Sequence, residues 1–118
     1  MNKLSNLELQ RQRAAKNQSL FREVNERIED LTKSAPVSLF VCECMNDTCD
    51  AGVEMSVADY EQVRAGGNRF FVLPGHEVEE VEAVIETNGR YLVVAKLGTG
   101  GEVAEQLDPR RRTTTHEH

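Results

Sequence analysis

The chain has no tryptophan, and its 118 residues include four phenylalanines and two tyrosines. Any core is therefore mostly aliphatic. No apolar run approaches membrane-spanning length, which argues against a transmembrane segment. Basic residues are outnumbered, 14 against 20, for a net charge of −6. That balance argues against nucleic-acid binding by the surface as a whole. The N-terminal stretch is polar and helical in pattern, so a secretory signal is not expected. Cysteine is scarce as well. There are three, all between Cys42 and Cys49. A cytoplasmic protein with reduced thiols is the expectation.

What is present gathers around that cysteine cluster. Val37, Leu39, Phe40 and Val41 read as a strand. Residues two apart in a strand share a face, so Cys42 and Cys44 fall on the same side. Asn46-Asp47 is turn chemistry that brings Cys49 back. Two thiolates along an extended strand lie rather far apart, so the chain must curl there. The best fourth ligand is His76, held by the turn in Leu73-Pro74-Gly75-His76-Glu77. The other histidines, His116 and His118, sit in a polar tail. Cys42, Cys44, Cys49 and His76 are thus the candidate ligands of one zinc ion in a closed, structural tetrahedral site. Two other fates stay open: three small buried thiols, or a Cys44–Cys49 disulfide that leaves Cys42 free.

The chain length fits one domain that would profit from such a staple. Residues 5–33 read as one long helix, rich in Gln, Arg, Glu, Leu and Ala, with Ser5 as cap and Glu8 completing a capping box. Leu7, Ala14, Phe21, Val24, Ile28 and Leu31 recur at coiled-coil spacing, with Gln10 and Asn17 in the polar gaps. The last four are expected to dock on a sheet or a second helix. Charge is uneven: net +2 over residues 1–33, −7 over 34–97 and −1 over 98–118.

Residues 1–34 are therefore read as a helix that is also an interaction arm. Arg11, Ala14, Asn17 and Phe21 are its candidate contacts with a partner protein or a second copy. Arg11, Arg13 and Lys16, together with the run Arg110–Arg112, are a weaker phosphate-binding signal. Residues 35–98 form a small α+β metal-binding domain, and residues 99–118 a flexible tail. Within the domain, Ser56 caps a helix over Val57–Ala65 whose Val57, Tyr60 and Val63 face the core. Asn88-Gly89 marks a two-residue hairpin with Ile85 opposite Leu92, Ala83 opposite Val94 and Val84 opposite Val93. Glu80, Glu82 and Glu86 line its partly solvated face. Gly98–Gly101 reads as a flexible joint. The fold expected is α+β: a long N-terminal helix on a small antiparallel sheet, with one short inserted helix.

Several motifs occur in order: Asn25-Glu26-Arg27-Ile28, Phe40-Val41-Cys42-Glu43-Cys44, Cys49, Asp59-Tyr60-Glu61-Gln62-Val63-Arg64, Val72-Leu73-Pro74-Gly75-His76-Glu77 and Tyr91-Leu92-Val93-Val94-Ala95-Lys96. Over roughly residues 14–110 the set resembles a family of small uncharacterised bacterial proteins with a Cys-x-Cys…Cys core and a Pro-Gly-His turn. The resemblance implies a grouping and no activity, and it places the four candidate ligands within shared motifs. The function expected is a non-enzymatic, zinc-stabilised binding or regulatory module acting through its N-terminal helix. A thiol- or zinc-dependent enzyme or redox protein is the alternative, with Glu43 or Glu77 as base. A nucleic-acid-binding accessory protein is a weaker one.

Overall fold

Good helix formers without a Gly or Pro interruption give helix α1, Asn6–Leu31. The computed structural model describes residues 6–46 and 49–110. The Ser5 cap, Asp47 of the expected turn, Arg111, Arg112, His116 and His118 lie outside the described residues, as do the side chains of Leu7 and Gln10. Strands β1 (Ser38–Val41) and β2 (Gly52–Met55) follow, then α2 (Val57–Val63) and β3 (Arg69–Val72). The hairpin β4 (Glu82–Thr87) and β5 (Leu92–Lys96) leads into α3, Gly98–Gln106. The class is α+β, as expected. The single sheet becomes two antiparallel ones, β1-β2 and β3-β5-β4.

The buried face of α1 corrects the expected seam. Gln18, Arg22, Asn25 and Glu29 point inward beside Ala14 and Ala15, while Val24 is 47% and Leu31 79% exposed. Gln18, Arg22 and Asn25 are matched by distant backbone, and Glu29 by the Arg110 side chain. Arg22 donates to the carbonyls of Gly67 (2.6 Å) and Ala104 (2.7 Å), and stands over the Phe70 ring. Gln18 donates to the Glu43 carbonyl at 2.6 Å. Buried polar groups that find such partners are tolerated. Once they are inside, part of the apolar stripe turns outward.

The glycine-rich stretch is also corrected: Gly98–Gly101 opens helix α3 instead of forming a joint. A Cβ on Gly100 would lie 2.6 Å from the Arg11 carbonyl oxygen. Glycine is therefore what lets α3 meet the α1 backbone, an approach that propensity along the chain does not register. Sequence reading took these glycines as breakers.

The Asn88 hairpin is present with a different register. Its loop spans four residues, and the Asn88 side chain accepts from the N–H groups of Arg90 and Tyr91 (both 3.0 Å). Thr87 then faces Leu92 and Val84 faces Val94, and a bulge between Val84 and Glu86 leaves Ile85 without a partner residue. Glu82 belongs to no solvated face. It is buried and paired with buried Lys96 at 2.8 Å. The α2 expectations hold for Ser56, whose Oγ accepts from Asp59 N (3.0 Å), and for buried Tyr60 and Val63. Phe40 stacks on Tyr60 (4.5 Å between centroids), and Phe71 meets both rings edge-on. Among the described residues no helix is long and apolar enough to cross a membrane.

Candidate metal centre

The backbone after β1 runs between the two sheets. Cys42 N–H donates to Ala51 on the β2 side (3.0 Å), and Glu43 N–H donates to Phe71 on β3 (2.9 Å). Cys42 thereby lies beside the end of β3 and the turn that follows. That turn closes with His76 N–H on the Leu73 carbonyl (2.9 Å), Pro74 at its second position and Gly75 at φ 93° at its third. This is type II chemistry, and only glycine takes the third position without strain. Cys49 N–H donates to the Asn46 carbonyl (3.0 Å), which sets the third thiol beside the other two.

The Sγ atoms of Cys42, Cys44 and Cys49 and a ring nitrogen of His76 all lie within 4.8 Å of one another, close enough to hold one metal ion. His76 Nδ1 is 3.6 Å from Cys42 Sγ and 3.7 Å from Cys49 Sγ. A tetrahedral ion with sulfur at about 2.3 Å and nitrogen at about 2.05 Å sets that separation at about 3.6 Å. Leu73 N–H donates to Cys42 Sγ (3.3 Å), the kind of outer contact that orients a ligating thiolate. Cys42 and Cys44 are buried, Cys49 and His76 half-buried, and all three thiols are free.

Burial pushes the Cys42 thiol up to about 12, and charge on Cys44 and Cys49 pushes the same way. Cys44 is also raised, again chiefly by burial. Cys42 and Cys44 thus resist ionising unless a cation joins them. A bound metal reverses that preference, because a coordinating thiol is deprotonated outright. The donor set and its spacing therefore fit a divalent ion that favours sulfur and nitrogen.

The carboxylates beside the cluster have structural partners. Glu43 lies between Cys42 and Cys44, and its carboxylate is turned to helix α1. It accepts from Asn25 Nδ2 (2.8 Å) and Phe71 N–H (3.2 Å). Burial raises it to about 7, opposed by those two hydrogen bonds. Glu77 accepts from Gly75 N–H at 2.8 Å, bracing the turn. Asn25 also bonds Val41 in both directions, at 2.9 and 2.8 Å. The motif pattern includes Asn25 without a role and does not mark Gln18. The available signal was a polar row at 18, 22, 25 and 29, spaced as one helix face.

The candidate partner contacts fall differently. Ala14 is fully buried. Arg11 is half-buried and pairs with Glu8 at 3.1 Å. Asn17 and Phe21 are half-buried. Arg110 pairs with Glu26, Glu29 and Glu61, so two of the named phosphate-binding cations already meet carboxylates within the chain. Family models, curated proteins and solved structures were all searched, and none matches this chain.

Proposed function

We propose that the protein is a non-enzymatic zinc module. Cys42, Cys44, Cys49 and His76 hold one structural zinc ion, and the outer face of α1 binds a partner protein. The reading is carried by the sulfur–nitrogen separations of 3.6 and 3.7 Å, close to those across a tetrahedral zinc ion. Four protein ligands fill the tetrahedron and leave no position for a reacting water. A reducing compartment such as the cytoplasm suits three ligating thiols. The grouping with small bacterial Cys-x-Cys…Cys proteins rests on the motifs alone.

Native mass spectrometry with metal analysis tests the site. One zinc per chain is expected, lost in Cys42→Ser and His76→Ala. Full-length protein with three free thiols and no metal at saturating zinc would refute it.

A redox or enzymatic use of the thiols is the second reading. It is favoured by a surface cleft lined by Cys44, Met45, Asn46, His76 and Glu77. It requires reactive thiolate. Rapid alkylation of Cys44 or Cys49 in zinc-loaded protein would support it, and slow alkylation matching a buried structural thiol would dismiss it.

A further inference from the structure

The arrangement of charge on the outer face of α1 identifies the class of partner. Successive helical residues are about 100° apart. From Leu9 onward, one arc of about 80° therefore contains the apolar residues Leu9, Leu20, Val24 and Leu31 and the basic residues Arg13, Lys16 and Arg27. All seven are exposed, Leu20 by 64% and Leu31 by 79%. The arc contains no acidic residue, although the chain as a whole carries a net charge of −6. Glu23 and Asp30 stand on one flank. None of the three cations pairs with a carboxylate among the described residues. The stripe is about 33 Å long.

We propose that this stripe docks an acidic amphipathic helix of a different protein, whose apolar residues lie along Leu9, Leu20, Val24 and Leu31 and whose carboxylates meet Arg13, Lys16 and Arg27. The inference rests on the reading of α1 as the interaction element and adds the partner's chemistry. A second copy of the chain fits poorly. In a parallel pair each cation meets itself. The antiparallel register that sets Leu9 against Leu31 also sets Arg13 against Arg27. An anionic membrane fits poorly too, since the stripe has no aromatic residue and the residues beyond the helix are strongly acidic. Opposite charge at helix flanks, with apolar residues between, is how paired helices choose partners.

The test uses full-length, zinc-loaded protein and two labelled synthetic helical peptides with the same leucine stripe, one flanked by glutamate and one by lysine. Binding is read by fluorescence anisotropy. The acidic peptide is expected to bind at least about tenfold more tightly, and more weakly as salt rises. Leu20→Ser with Val24→Ser should abolish binding while zinc content and circular dichroism stay unchanged. Reversing charge at Arg13→Glu, Lys16→Glu and Arg27→Glu should invert the preference. Tighter binding of the lysine peptide, of phosphatidylglycerol vesicles, or of a second copy by sedimentation would overturn the acidic-helix assignment and leave α1 as the docking face. No binding in any arm would overturn that reading of α1 as well.

Discussion

Asn25 does for one turn of helix what a strand does for a sheet. Its side chain accepts from Val41 N–H and donates to the Val41 carbonyl and the Glu43 carboxylate. A helix side chain is thereby tied to the residue pair that carries Cys42 and Cys44. Asn25→Ala would leave a buried carboxylate and a strand amide short of partners, at a cost of about 2–4 kcal/mol. Because Glu43 lies between two of the proposed ligands, zinc affinity is expected to fall by about tenfold or more, as for other outer contacts of metal sites. Urea unfolding and chelator competition measure the two effects. A loss of stability with unchanged zinc affinity would show that Glu43 does not position the ligands.

At the scale of elements, α1 is held between the sheets and α3 by contacts that leave little room. At Gly100 the obstacle to a side chain is backbone, the Arg11 carbonyl at 2.6 Å. At Gly52 it is the flexible end of Leu39, 2.8 Å away. Gly100→Ala is therefore expected to destabilise by about 1–3 kcal/mol, and Gly52→Ala by much less. Equal effects in urea melts would contradict the close packing of the two helices.

The C-terminal segment adds a second tie to α1. Three carboxylates converge on Arg110, at 2.9 Å for Glu26, 3.2 Å for Glu29 and 2.7 Å for Glu61. Burial and then the neighbouring Glu61 raise Glu29 to about 7, while Arg110 holds Glu61 down at about 2. Glu29 thus keeps a proton in the folded state that it loses near pH 4.5 when unfolded. Its contribution to stability is full below pH 4.5 and is lost as pH rises through about 7. Glu29→Gln should therefore be more stable than the parent at pH 8, with the difference shrinking toward pH 5, in melts at the two values.

For the whole molecule, an ion held by the four clustered residues would join the segment that carries Cys42, Cys44 and Cys49 to the turn at His76. Metal bound by the folded chain alone stabilises it by linkage. Removing zinc with a chelator is expected to lower Tm. Hydrogen exchange should rise first at residues 42–46 and 73–76, with β3-β5-β4 still protected. Uniform loss of protection would mean that the ion supports the entire core. Deleting residues 1–16 is expected to destabilise the body, since Ala14 and Ala15 are buried and α3 rests on Arg11.

Much of this was determined by the sequence itself, where the deciding forces act between near neighbours. Helix propensity set the extent of α1, Ser56 set the start of α2, and Asn88-Gly89 set the position of the hairpin. Residue type and turn chemistry singled out the four clustered residues, because the chain has so few thiols and imidazoles. Tertiary structure decided what depends on distant partners. The row at 18, 22, 25 and 29 goes inward because the backbone of Gly67, Ala104, Val41 and Glu43 is there to meet its first three residues and Arg110 its fourth. Glu82 and Lys96 become a buried pair, and the glycines after Lys96 become a helix against α1. Periodicity along a helix marks its two faces, but which one is buried depends on the groups the rest of the chain places opposite each.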